Sequence, residues 1–102
     1  MNYTPLFKRI KQLCNNGESR DIDEVLSLLD NGADLPTTKA IDLYLGGVTR
    51  PEGIKRIEHY LFNGTPIQRN YCTLFFARRR DWDNVNKAYR RGLVDAIQAY
   101  SR

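Results

Sequence analysis

An apolar stripe runs up to a glycine three times along this chain. Ile22, Val25, Leu28 and Leu29 precede Gly32. Ile54, Ile57, Tyr60 and Leu61 precede Gly64, and Trp82, Val85, Ala88 and Tyr89 precede Gly92, in each case ten, seven, four and three residues back. All twelve positions are apolar or aromatic. The offsets place them on one stripe of a helix of 3.6 residues per turn, and a closing glycine suits the left-handed backbone that commonly ends a helix. The pattern predicts a helical repeat in which Leu28, Leu29, Tyr60, Leu61, Trp82 and Val85 belong to buried columns.

The stretches between these stripes supply partner helices. Thr4-Pro5 reads as an N-cap followed by proline in the first turn, and Leu6, Phe7, Ile10, Leu13 and Cys14 form a stripe that stops at Asn15-Asn16-Gly17. Asp21 and Glu24 look like a capping box for the helix ending at Gly32. A threonine of Pro36-Thr37-Thr38 is expected to cap a helix carrying Ala40, Ile41, Tyr44 and Leu45 and closing at Gly46-Gly47. Pro51 and Glu52 open the next one. Pro66 starts a helix with Tyr71, Cys72, Leu74, Phe75 and Phe76, Asp81 caps the one that begins at Trp82, and Asp95 caps a last short segment. There Ala96, Ile97 and Tyr100 are expected to seal the end of the array, since terminal repeats need a cover for their apolar face.

The run LDNGADLP and the stretch FFARRRDWDNVNKAYRRGLVD from Phe75 to Asp95 resemble the helix end, turn, second helix and glycine of ankyrin repeats. Pro36-Thr37-Thr38-Lys39 and Gln68-Arg69-Asn70-Tyr71 stand where that family has its Thr-Pro-Leu-His start. The resemblance implies an all-α fold: one domain of three stacked helix-turn-helix units in an ankyrin-like array, approximately residues 4–35, 36–67 and 68–95, with a C-terminal helical cap at 96–102.

Composition is that of an ordinary globular protein, 41% hydrophobic and 27% charged, and no apolar run approaches the roughly 20 residues of a membrane span. The N-terminal basic residues alternate with apolar ones at helical spacing and lead into no apolar h-region, so a cytoplasmic location is the expectation. Cys14 and Cys72 lie inside apolar stripes and read as buried, reduced thiols that form no bridge with one another. The net charge of +4 is uneven, for residues 51–102 carry 10 basic and 5 acidic side chains.

Candidate chemistry is sparse. His59, the single histidine, follows Glu58 beside a stripe and lacks a serine or cysteine arranged as a nucleophile. Glu18, Asp21, Asp23, Glu24, Asp30 and Asp34 fall at caps and turns without the alternating spacing of a calcium loop. Gly46-Gly47 has no following Lys-Ser/Thr. The sequence therefore points away from an enzyme and offers no metal or cofactor site. Its most informative polar feature is Arg78, Arg79 and Arg80 in a turn, followed by Lys87, Arg90 and Arg91 on the next helix. Cations in a last helical turn complement the helix dipole, and Asp83 stands four residues before Lys87 as a partner, which accounts for part of this group. Three consecutive arginines in a short turn ask for more. The favoured reading is a protein-protein interaction module, an adaptor or inhibitor, that meets an acidic partner surface through these six cations. The alternative sets the same arginines on nucleic-acid phosphates with Tyr71 or Trp82 stacking on bases. It is disfavoured because Trp82 occupies a core column of the repeat.

Overall fold

The computed structural model describes residues 2–101, and among them every regular element is a helix: α1 Thr4–Asn16, α2 Ser19–Ser27, α3 Leu35–Leu45, α4 Pro51–Asn63, α5 Pro66–Arg78, α6 Trp82–Arg90 and α7 Ala96–Tyr100. The chain divides between Arg56 and Ile57, within α4, into two compact units.

In the N-terminal unit α1 packs on both α2 and α3. Ile10, Leu13 and Cys14 of α1 meet a core with Ile22, Val25 and Leu26 of α2, Leu29, and Ala40, Ile41 and Leu45 of α3, all buried. Several helix starts differ from the sequence expectation, because the residue that caps lies upstream of the one expected. Tyr3, not Thr4, is the N-cap of α1, with Pro5 in its first turn. Helix α2 begins at Ser19 after Glu18, and the Asp21 carboxylate turns back to accept from the Glu18 N–H at 3.0 Å. Asp34 caps α3 by accepting from the Thr37 N–H at 3.0 Å, while Thr37 and Thr38 are buried inside the first turn. At the far end of α2 the helix stops at Ser27, five residues short of Gly32. Leu28 and Leu29 continue as tight turns bonded to Val25 and Leu26, and Asp30 accepts from the Gly32 N–H at 2.8 Å, which closes a local turn.

Nor do all the closing glycines share one conformation. Gly17 and Gly92 are left-handed, at φ 68° and 71°, whereas Gly32 and Gly64 are not. Gly64 is needed for a different reason: a Cβ there would lie 2.6 Å from the Tyr60 carbonyl oxygen.

The C-terminal unit holds the last turns of α4 with α5, α6 and α7, and those last three helices pack on one another. Its core is Ile57, Leu61, Cys72, Phe75, Phe76, Val85, Ala88, Val94 and Ala99. Thr65 and Gln68 form a reciprocal capping box that starts α5, with Thr65 Oγ1 accepting from the Gln68 N–H at 3.3 Å and Gln68 Oε1 from the Thr65 N–H at 2.9 Å. Asp95 and Gln98 repeat the device at α7, with bonds of 2.8 and 2.9 Å.

Five of the twelve stripe positions depart from the expected columns: Leu28, which lies beyond the end of α2, and Ile54 and Tyr60 of α4 are only half-buried, and two aromatics of α6 are exposed. Trp82 is 43% exposed and Tyr89 42% exposed. The five-residue α7 is too short to cover this side of α6: it buries Ala99 and sends only the Tyr100 ring toward both aromatics, at 6.5 Å from Trp82 and 5.3 Å from Tyr89 between centroids. Ile97, expected to seal the end, points outward and is 72% exposed.

Candidate functional site

The C-terminal end of α5 explains how the arginine run is displayed. Its closing turn is a Schellman motif, with the Arg80 N–H donating to Ala77 O at 3.0 Å and the Asp81 N–H to Phe76 O at 2.9 Å. Arg80 takes the left-handed position at φ 58°, the one non-glycine residue among those described to do so. An L residue there costs about 1 kcal/mol or more relative to right-handed backbone. The chain reverses at once into α6, where Asp81 Oδ1 accepts from the Asn84 N–H at 3.4 Å and its other oxygen from the Asn84 amide at 3.0 Å.

This reversal sends the three arginines in different directions. Arg78 and Arg80 line one open groove of about 610 Å³ together with Leu74, Ala77 and Trp82. Arg79 leaves that groove and lies over the Phe75 ring, 5.1 Å from its centroid. Lys87 of α6 and Arg91, the C-cap of that helix, converge on Phe62, at 5.3 and 5.1 Å from the ring centroid. No ion pair joins Lys87 to the expected Asp83, whose place in the first turn of α6 instead complements the helix dipole. Arg90 is exposed in the last turn of the same helix. The six candidate cations thus occupy four settings: Arg78 and Arg80 at a groove, Arg79 over a ring of α5, Lys87 and Arg91 over a ring of α4, and Arg90 in solvent.

Charge is concentrated here. Residues up to Arg56 carry 8 basic and 8 acidic side chains, whereas residues 57–102 carry 8 basic and 4 acidic, so the whole net charge of +4 resides in the C-terminal unit. Those four carboxylates have local work: Asp81 and Asp95 cap helices, Asp83 sits in a first turn, and Glu58 accepts from the Asn84 amide at 3.5 Å.

Beside the groove the aromatics form a small cluster. Trp82 stacks on Tyr100 with an interplanar angle of 30°, Tyr89 meets Tyr100 edge-on at 70°, and the Tyr100 hydroxyl donates to Asn86 Oδ1 at 2.6 Å. Sequence reasoning assigned Trp82 and Tyr89 to the core and so left them out of the site. No signal in the stripe itself separates them, since both belong to the same stripe before Gly92 as the buried Val85 and Ala88.

Elsewhere, His59 is exposed on α4, where its Nδ1 lies 3.4 Å from the Asn63 amide and its ring meets Tyr60 edge-on. Among the described residues no three of His, Cys, Asp and Glu come together as a metal-binding group, and no helix is long and apolar enough to cross a membrane. Cys14 and Cys72 are free and buried. Burial pushes both thiols up to about 12, with the Asp21 carboxylate adding to the effect at Cys14. In the N-terminal unit Phe7, Pro36, Lys39, Ala40, Leu43 and Tyr44 line a second, more apolar groove of about 310 Å³ that carries a single cation.

Compared with protein-family models, with curated proteins and with solved structures, the chain matches none of them.

Proposed function

We propose that this protein is a non-enzymatic, cytoplasmic interaction module, an adaptor or an inhibitor, that binds an acidic surface of a partner protein through its C-terminal unit. The observation that carries the reading is the grouping of exposed Trp82 with Arg78 and Arg80 around one groove, in the unit that holds all of the chain's net charge. Tryptophan, tyrosine and arginine are the side chains that most often dominate binding energy at protein interfaces, and a basic rim accelerates encounter with an acidic partner. The ankyrin-like arrangement of stacked hairpins belongs to the same proposal. It is supported by α1 packing on α3, as successive first helices of an array would, and by α7 packing on α5 and α6, as a C-terminal cap would.

A second reading has one specific observation in its favour. Trp82 is exposed, so the core role that counted against base stacking no longer applies. A tagged pull-down with and without nuclease separates the two. Protein binding is supported by a discrete partner that survives nuclease and is lost when Arg78, Arg79 and Arg80 are changed to glutamate. Recovery of nucleic acid alone overturns it.

A further inference from the structure

Resting on the reading that the C-terminal unit binds an acidic protein, we infer that the groove of Leu74, Ala77, Arg78, Arg80 and Trp82 takes a short extended peptide segment in which one large apolar side chain is flanked by carboxylates. Groove size is the first reason. A volume of about 610 Å³ accepts a few side chains, within the common range for small-ligand sites and far below a whole protein face.

Lining chemistry is the second reason. Leu74 and Ala77 are each only 7% exposed, so the 43% exposed Trp82 indole is the main apolar surface lining the groove and an aliphatic or aromatic side chain is its natural filling, while Arg78 and Arg80, which line it too, match carboxylates in charge and in hydrogen-bonding geometry. Arg80 is also preorganised. Its backbone is fixed by the Schellman bonds on either side and held left-handed, where glycine is the usual residue, and strained backbone of this kind concentrates at binding sites.

The same geometry disfavours a nucleic-acid strand. Strand-binding grooves combine a continuous track of cations with successive open aromatic faces. Here Arg79 lies over Phe75 and Lys87 and Arg91 lie over Phe62, so the cations form no single track, and Trp82 is the one ring among the residues lining the groove.

Trp82 is the chain's single tryptophan, so its emission reports groove occupancy directly. The experiment titrates the full chain with three probes: a short acetylated peptide of glutamates around one leucine, the same peptide with glutamate throughout, and single-stranded oligothymidylate. The leucine peptide should shift the emission to shorter wavelength and saturate. Loss of the leucine should weaken binding about tenfold or more, the scale of one buried apolar side chain. Arg80→Gly, which suits the left-handed backbone and so preserves the fold, should weaken it about fivefold by removing one charge-assisted contact. Lys11→Gln, on α1 in the N-terminal unit, should bind within about twofold of wild type, since exposed charges away from the contact contribute little.

A flat titration, equal binding of the two peptides, unchanged binding by Arg80→Gly, or a shift produced by the oligonucleotide and not the peptide would each overturn the inference. A captured partner lost on arginine reversal, paired with a flat titration, sinks the groove while leaving the broader reading in place. Peptide binding with no such partner supports the groove and sinks that reading.

Discussion

The guanidinium of Arg91, the C-cap of α6, and the ammonium of Lys87, four residues earlier in that helix, lie over the same Phe62 ring, 5.1 and 5.3 Å from its centroid. The pair ties α6 to the last turn of α4 within the C-terminal unit. Exposed cation-π contacts are worth about 0.5–1 kcal/mol, so Lys87→Gln and Arg91→Gln should each lower stability by about that amount. The urea midpoint is the readout. In a Phe62→Leu background both substitutions should lose most of their effect, and equal effects in the two backgrounds would show that the ring is not involved.

Arg80 supplies a sharper contrast. At φ 58° glycine relieves strain and alanine does not. Arg80→Gly should raise stability by up to about 1 kcal/mol while Arg80→Ala leaves it nearly unchanged. Thermal or urea unfolding of the two variants decides this, and a destabilised glycine variant would contradict the left-handed turn.

Core and edge of the same stripe should respond differently. Leu61 is fully buried and Leu29 is 2% exposed, so truncating either to alanine should cost about 2–5 kcal/mol. Trp82→Ala removes a larger side chain but an exposed one. It should cost only about 1 kcal/mol, the contribution of its stacking on Tyr100. Comparable losses at Leu61 and Trp82 would place Trp82 in the core after all.

How far the sequence could be read follows from these residues. Apolar stripes together with proline and cap signals located the helices, and seven of the twelve stripe residues are buried, including Ile22, Val25, Ile57 and Val85, whereas α5 buries six consecutive residues, Cys72 to Ala77, and has no stripe to read. Helix starts were harder. Glu18, Tyr3 and Asp34 act as N-caps, whereas nearby Thr4, Asp21 and the threonines at 37 and 38 carry the more familiar signals, and which of several polar residues turns back onto the backbone depends on the loop before it. At the C-terminal end periodicity misleads outright. It reports that Trp82 and Tyr89 could be covered, not that the neighbouring helix covers them: α7 buries Ala99 and leaves both exposed. Charge marked the arginine run, yet that Arg80 takes the left-handed position closing α5 is something sequence patterns do not show.

The cysteines test burial chemically. With thiols pushed up to about 12 against an ordinary value near 8.5, the folded chain keeps protons that the unfolded chain releases. This contribution to stability is therefore intact below about pH 8.5 and is lost as pH rises toward 12. At pH 8 both thiols should resist a disulfide reagent in the native protein and react fully in urea. Rapid stoichiometric labelling of the native chain would show that Cys14 or Cys72 is accessible.

Amide hydrogen exchange on the complex with a captured partner tests the central claim most directly. Protection should appear over residues 78–82, at the end of α5 and the start of α6, and should extend to the neighbouring α7, with exchange over α1 and α3 unchanged. Protection confined to α1 and α3, with none over residues 78–82, would contradict binding through the C-terminal unit.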